Sequence, residues 1–368
     1  MTICYFETLA IFIVSCLLSA MIIPKISLIA FRRRLFDPLD DRKLHTAHIP
    51  RLGGIAFFPC ITVPISLVIA CHNLCTDRNL LSWEQSTCLL TLFSCLFMLY
   101  LMGMKDDLIG MRYRAKFIIQ TLCGILLVTS GFCFDNLYGL FGIYELPHYV
   151  GIPFTVFIIV YIINAINLID GIDGLASGLS MIAFFAFGSM FACLQWWLYT
   201  FISFAALGAL IPFFYYNMFG KTHRGRKVFM GDTGSLTIGL LLAVMAIHLS
   251  TSDPVKEQYF PGAIVTAFSF LLVPMLDVVR VVLHRLRNHQ PPFLPDKNHI
   301  HHKFIALGMS QHQALSFILS IAWIFIMANT ALAPYLSVTM LFLLDIAVWT
   351  AMHFYITAKI KRKKLKKN

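Results

Sequence analysis

The sequence predicts an all-α protein: a polytopic integral membrane bundle of about eleven transmembrane helices, N-terminus outside and C-terminus cytoplasmic. Three observations carry this. Of 368 residues, 58% are apolar and only 13% charged, where soluble domains run near ~45–50% and ~25%; the mean hydropathy is +0.77. The apolar residues fall into separate runs close to the ~20 residues that cross a bilayer. The basic residues gather in alternate loops. Together these exclude a soluble enzyme, a disordered chain and a disulfide-stapled secreted domain.

The runs can be justified in order. Run 4–31 has no basic residue before it, carries its basic cluster after it and is too long for the apolar stretch of a signal peptide, so it is read as a span. Run 52–71 follows a basic loop, and run 87–104 ends on Lys105, Asp106 and Asp107. Run 117–133 opens after Arg112, Arg114 and Lys116. Run 152–168 leads into a polar, glycine-rich segment; runs 176–193 and 196–216 follow, and run 233–250 begins just after Gly231 and Asp232. Run 261–283 contains Asp277 and Arg280, and runs 314–331 and 337–357 complete the set. Residues 1–357 are therefore expected to form one multi-span catalytic domain, and 358–368 a basic cytoplasmic tail. The ten cysteines are scattered, mostly within apolar runs and without a CxxC pair, and read as small apolar fillers.

All but four of the 29 basic residues lie on one side. They include Arg32, Arg33, Arg34, Arg42, Lys43, Arg51, Lys221, Arg224, Arg226, Lys227, Arg285, Arg287, Lys297 and Lys303, besides the tail. The exceptions are Arg78 and Lys256 on the opposite side, and Lys25 and Arg280 within or at the ends of apolar runs. The basic side is read as cytoplasmic, and an odd number of spans satisfies that assignment. The net charge of +11 is then explained by topology and anionic headgroups, and no nucleic-acid partner is expected.

The acidic residues separate by side. Asp77, Glu84, Asp135, Glu145, Asp253 and Glu257 read as ordinary outer-loop carboxylates. On the basic side the carboxylates sit at or inside spans, where insertion costs ~2.5–3.5 kcal/mol at a helix centre, so such groups usually face a polar cavity or a partner. Adjacent Asp106 and Asp107 repel unless a cation lies between them, which suits a general base or a Mg²⁺ site; a solvated helix-end pair balanced by Lys105 is the bland alternative. Asn167, Asp170 and Asp173, spaced by three, share one face of a helical turn among Gly171, Gly174 and Gly178. Asp232 precedes a span between two glycines, as a helix N-cap does. With Arg226, Lys227 and Phe229 just before it, it also suits a site for Mg²⁺ and diphosphate.

His299, His301 and His302 fall within four residues. A zinc site is one reading, with no cysteine near to support it; a solvated cluster is another. A phosphate-facing cluster of imidazolium donors is preferred. Gly220-Lys221-Thr222 mimics the end of a Walker motif, but Tyr215 stands where the first glycine is required.

Five motifs carry a resemblance: HIPRLGGI (48–55), GMKDD (103–107), NAINLIDGIDGLASG (164–178), YNMFG with KVFMGDTGSL (216–236) and PDKNHIHHKF (295–304). With these, the chain resembles the bacterial polyprenyl-phosphate N-acetylhexosamine-1-phosphate transferases (glycosyltransferase family 4), and the WecA/TagO-type branch more than the MraY branch. The resemblance runs nearly end to end and implies a bundle of ten or eleven helices with a cytoplasmic cleft in the bacterial cytoplasmic membrane. It implies that N-acetylhexosamine 1-phosphate, GlcNAc 1-phosphate by default, passes from a UDP-sugar to undecaprenyl phosphate, releasing UMP. This is the initiating step of a cell-surface polysaccharide such as O-antigen. Mg²⁺ is the implied cofactor, with Mn²⁺ as a substitute. By motif position, Asp106 and Asp107 match the family's aspartate pair, the first as the favoured base and the second also as a metal ligand. Asp232 matches the principal Mg²⁺ ligand, and Phe229 a position that stacks on uracil. Asn167, Asp170 and Asp173 match a NxxDGxDG motif, with Asp170 catalytic and Asp173 on the nucleotide. Asn217 matches a cleft asparagine. His301 and His302 are implied catalytic groups, and His299 and Lys227 substrate contacts. Arg114 and Lys116 are plausible lipid-phosphate partners by charge alone. The HIHH pattern, in place of a run of consecutive histidines, argues against a MurNAc-pentapeptide substrate.

The competing expectations are the same chemistry with GalNAc, FucNAc, QuiNAc or, against the HIHH pattern, MurNAc-pentapeptide, and a transporter or flippase, which should carry its acidic groups near mid-membrane. A homodimer is left open.

Overall fold

The computed structural model describes residues 2–33, 49–76, 79–221, 225–251, 262–291 and 298–365. Outside them lie Arg34, Arg42, Lys43 and His48 of the first basic loop and motif. So do Asp77, Arg78, Arg224, Asp253, Lys256, Glu257, Asp296, Lys297 and the last three residues.

Every apolar run becomes helical. The helices are α1 (Thr2–Arg32), α2 (Phe57–Cys75), α3 (Trp83–Ile109), α4 (Tyr113–Thr129), α5 (His148–Ile169), α6 (Leu175–Cys193), α7 (Trp197–Phe219), α8 (Gly231–Ser250), α9 (Ala263–Ser269), α10 (Leu272–Arg287), α11 (Ile300–Ala306), α12 (Gln311–Leu332) and α13 (Val338–Leu365), with a 3₁₀ turn at Gly53–Ala56 before α2. Nine of these, among the described residues, are long and apolar enough to cross a bilayer. The other two of the eleven expected spans differ in form. Helix α4 has 17 residues, one turn or so short of the usual span. The run expected at 261–283 is broken: α9 and α10 meet at 75°. Beyond the break α10 is amphipathic, with Asp277 and Arg285 buried and Val279, Leu283 and Leu286 exposed, so apolarity alone overstated it as a straight span. The tail expected from 358 continues α13 as helix to Leu365.

Helix α8 is the hub. Its sequence is apolar on every face, which is how a helix sheathed by others reads, and nearly all of its side chains are buried. It packs on α3, α5, α6 and α9. Glycine sets the closeness at two crossings: a Cβ added at Gly239 falls 2.8 Å from the Ile163 Cα, and one at Gly54 falls 2.1 Å from the Gly234 nitrogen, the close backbone approach that small residues permit in membranes. Helix α1 lies along α7 and α2, with Ser19 Oγ donating to the Ala209 carbonyl at 2.7 Å.

One element departs from the all-α expectation. Between α4 and α5, β1 (Asn136–Leu140) and β2 (Ile143–Glu145) form an antiparallel hairpin. Its two-residue turn, Phe141-Gly142, has φ of 53° and 78°, the paired positive values that match the twist of a two-stranded ribbon. The start of α13 docks there: the Phe141 N–H donates to Thr339 Oγ1 at 2.8 Å. The other end of α13 reaches α11, where Lys363 Nζ donates to the Leu307 carbonyl at 2.7 Å. Helix α13 therefore ties the hairpin end of the bundle to the opposite end, and the two described termini lie at opposite ends.

Candidate active site

The site forms at the end away from the hairpin, where α3 and α5 finish and α4, α6 and α8 begin. Local backbone chemistry builds it. The chain before α8 runs extended and pairs with the segment before α2: the Phe229 N–H donates to the Pro50 carbonyl at 2.9 Å, and the Gly53 and Gly54 N–H groups donate to the Phe229 and Met230 carbonyls at 3.0 Å. At Gly231 the chain turns with φ +67°, and an added Cβ would lie 2.1 Å from the Arg51 carbonyl and 2.6 Å from the Asp107 carboxylate. Only glycine fits that corner without strain.

Asp107 caps α8. Its Oδ1 accepts the Asp232 N–H at 2.8 Å, and its Oδ2 accepts the Thr233 N–H at 2.9 Å and Thr233 Oγ1 at 2.6 Å. A carboxylate here satisfies otherwise orphaned N–H groups and complements the positive end of the helix dipole. Gly103, one turn earlier on α3, brings the two helices together; a Cβ there would meet the Thr233 Cα at 2.4 Å.

Asp106 faces the other way. Lys116 Nζ, from α4, donates to Asp106 Oδ2 at 2.7 Å and to Asp232 Oδ2 at 2.5 Å. So it is Asp106 that shares a cation with Asp232, while both oxygens of Asp107 are engaged by α8. All three side chains are largely but not wholly buried. On the far side of Asp232, Asn167 Nδ2 donates to Ser235 Oγ at 2.8 Å. One turn deeper, Asn164 Nδ2 donates to Gln120 Oε1 at 2.7 Å.

The segment between α5 and α6 carries the second acidic group. Asp173 Oδ2 accepts from Lys227 Nζ at 2.5 Å. The Asp170 side chain is exposed, yet the surrounding protein, first, and the negative charge of Asp173, second, push its carboxyl up to about 7, against a smaller opposing effect of Arg51. Asn217 is buried, its Oδ1 accepting the Gly174 N–H at 2.6 Å and its Nδ2 donating to the Val228 carbonyl at 2.9 Å. It staples this segment to the strand leading into α8, and its amide is spent on backbone.

The histidine segment packs onto the segment between α5 and α6. Asp277, fully buried on α10, accepts from His299 Nδ1 at 2.8 Å, from Arg280 Nη2 at 2.8 Å and from the Ile300 N–H at 3.0 Å, so it fixes the start of α11. His301 stacks between His299 and His302, with ring centroids 5.9 and 4.2 Å away. Its ring lies against Gly171, where an added Cβ would sit 2.3 Å from Cε1 and Nε2. This brings the histidine motif onto the Asp170–Asp173 segment across more than 120 residues of chain. His301 is 1% exposed, and neither ring nitrogen has a hydrogen-bond partner among the described residues. Burial, then the neighbouring His302 and His299, hold its value down at about 3. It is therefore a neutral imidazole, not the imidazolium expected from the sequence.

Most of the expected site residues thus converge. Asp106, Asp107, Lys116, Asn167 and Asp232 form one group; Asp170, Asp173, Lys227 and His301 form its neighbour, and Phe229, half-buried, stands on the extended segment before α8. Arg114 does not join them: it is exposed, and its Nε donates to the Tyr113 hydroxyl at 3.3 Å. Arg51, Gln120 and Asn164 are additions that sequence reasoning did not single out. Arg51 stood inside a quoted motif; Gln120 carried no signal beyond a polar residue in an apolar run.

Among the described residues no three His, Cys, Asp or Glu side chains converge as a metal-ligand set. The seat between Asp106 and Asp232 nevertheless suits Mg²⁺. It offers two hard carboxylate oxygens already spaced around one cation, and Mg²⁺ typically takes one or two carboxylates and completes its shell with water and phosphate oxygens. It does not suit zinc, which prefers four nitrogen or sulfur donors.

Residues 89–250 match the family model described as glycosyl transferase family 4. Over 340 residues the chain is 31% identical to a probable undecaprenyl-phosphate N-acetylglucosaminyl 1-phosphate transferase of Bacillus subtilis (strain 168), covering 91% of this chain and 88% of that protein. It is 35% identical over 294 residues to the undecaprenyl-phosphate alpha-N-acetylglucosaminyl 1-phosphate transferase of Pasteurella multocida (strain Pm70), covering 78% and 75%. The Escherichia coli (strain K12) enzyme of the same description is 29% identical over 290 residues, covering 76% and 71%.

Proposed function

The chain belongs to glycosyl transferase family 4, and from that premise we propose that it transfers N-acetylglucosamine 1-phosphate from UDP-N-acetylglucosamine to undecaprenyl phosphate, with Mg²⁺ as cofactor and on the cytoplasmic face of the bacterial cytoplasmic membrane. The observation that carries this reading is the convergence, at one end of a membrane bundle, of the Asp106–Lys116–Asp232 group with Asp170, Asp173, Lys227 and His301. The basic residues of the described loops and α13 lie at that same end, which supports the cytoplasmic assignment.

In this reaction an oxygen of the lipid phosphate forms a bond to the sugar-bearing phosphorus, and the bond from that phosphorus to UMP breaks. Asp106 and Asp232 are the residues that would hold Mg²⁺, which when bound would neutralise diphosphate charge. The chain does the rest by placement. Lys227 and Arg51 bring positive charge beside the Asp170–Asp173 segment, where a diphosphate is accommodated. The half-buried Phe229 ring offers a flat face for uracil. His301, neutral and with both ring nitrogens unpartnered among the described residues, donates one N–H to a phosphate oxygen without needing to be charged. Asp170, at about 7, is matched to a phosphate monoester whose last proton leaves near ~6 and takes that proton from the lipid. Asp106, engaged by a cation in the seat it forms with Asp232, is less free to do so.

A transporter needs its charged groups near mid-membrane. Here the site carboxylates gather at one end; among the described residues Asp345 and His353, on the peripheral α13, lie inside a span without joining them. The deciding experiment incubates the detergent-solubilised full chain with Mg²⁺, undecaprenyl phosphate and a panel of UDP-N-acetylhexosamines, and measures UMP. Release that requires both lipid and Mg²⁺, fastest with UDP-N-acetylglucosamine, is the expected result. No UMP from any sugar, with a relative active in parallel, overturns the reading.

A further inference from the structure

Lys116 sits where the cofactor is needed. Its ammonium is held at 2.7 Å by Asp106 and at 2.5 Å by Asp232, the two carboxylates that form the cation seat. We propose that Lys116 is a resident counter-ion, exchanged for the divalent cation when the site is loaded, and that the released ammonium then pairs with a substrate phosphate. This rests on the functional reading above and adds a second state of the same site.

Three features of the structure support the exchange. The spacing of the two carboxylates is set by backbone and not by the lysine. Asp107 locks the first turn of α8 to the end of α3 through three hydrogen bonds, and Gly103 lets the two helices touch. The seat is thus built before any cation arrives. Lys116 reaches it from a different helix, α4, on a flexible four-carbon stem with a compact point charge, so it is the member free to leave. Finally, the carboxylates have a positive partner in both states. Two adjoining carboxylates in a partly buried site need a positive neighbour, which the ammonium supplies alone. A divalent cation supplies it better, and the displaced ammonium then meets the negative phosphates that arrive with the substrates. An ammonium and a metal ion cannot both occupy the space between the same two oxygens.

The test measures binding of Mn²⁺ alone, by electron paramagnetic resonance, to the substrate-free full chain and to Lys116→Met and Asp232→Asn. The exchange predicts that Lys116→Met binds Mn²⁺ about tenfold more tightly, because no resident ion has to be displaced. It also predicts that metal-free Lys116→Met melts lower than wild type and that Mn²⁺ restores most of the difference. Asp232→Asn loses the site. Unchanged or weaker Mn²⁺ binding in Lys116→Met overturns the exchange, as does a wild-type chain that binds no Mn²⁺. A Lys116→Arg chain, in which the positive charge is kept, should bind Mn²⁺ no more tightly than wild type; tightening there equal to that of Lys116→Met overturns the counter-ion role. UMP release distinguishes the two layers. Metal-dependent turnover with unchanged Mn²⁺ affinity in Lys116→Met keeps the reaction and discards the exchange. Tighter Mn²⁺ binding without turnover from any UDP-sugar keeps the exchange and discards the reaction.

Discussion

Neighbouring residues with the same side chain do different work here. Asp106 and Asp107 differ by one position, which on a helix turns them about 100° apart, so one faces the cation and the other the end of α8. The sequence showed that a carboxylate pair stood at a span end; it held no information about which member faced α8, because that depends on a contact more than 120 residues away. Replacing Asp107 by Ala should remove the cap and lower stability by about 1–2 kcal/mol, read as a lower melting temperature in detergent. Asp170 gives a pH prediction. Its carboxyl titrates near 7 instead of 3.8, so the proton-accepting form grows as pH rises through about 7, and kcat/KM should rise over the same window. Asp170→Asn should lose ~10²–10⁴-fold and retain only the lower step of the lipid phosphate near ~6. The linkage for folding has the same direction: a raised acid value contributes stability below pH 3.8 that is lost as pH rises to about 7. For His301 the sign reverses. A value depressed from 6.5 to about 3 contributes stability that is present above pH 6.5 and lost as pH falls toward 3, a loss His301→Gln should abolish in acid melts.

At the level of elements, the apolar runs announced the helices and the site motifs announced their ends, because both signals are local. What stayed illegible was geometry set by distant packing. The bend between α9 and α10 sits where Pro274 enters the first turn of α10 and removes the N–H that would continue the helix, and beyond it Asp277 is buried against the histidine segment, a partner no local window contains. The hairpin escaped because its strands are only five and three residues long, too short for alternation to register. Asn217 shows the same limit: the motif placed it correctly, but its buried amide joins two backbone segments. Asn217→Ala leaves the Gly174 N–H and the Val228 carbonyl buried without partners, at about 1–3 kcal/mol each. Asn217→Asp keeps the acceptor and should recover part of the lost melting temperature. Gly231→Ala, forced to φ +67° against the Arg51 carbonyl, should cost about 1–3 kcal/mol and disturb the cation seat with it.

On the scale of the whole molecule the sidedness drawn from charge can be checked with native thiols. Cys75 and Cys193 are exposed at the hairpin end, on the last turns of α2 and α6. The proposed orientation predicts that a membrane-impermeant maleimide labels both in spheroplasts and neither in sealed inverted vesicles; the opposite pattern would place the site outside the cytoplasm. The enclosure of α8 has a consequence for how the molecule opens. Its middle amides are shielded from water and lipid by surrounding helices, so they should be the last to exchange for deuterium, and only when the whole bundle comes apart. Asp232 lies on the first turn of that slowest segment, whereas Lys116 lies near the start of α4, whose first residues face solvent. The two halves of one ion pair therefore belong to regions with very different opening rates, and a deuterium map of the resting protein should show a steep step in protection between them.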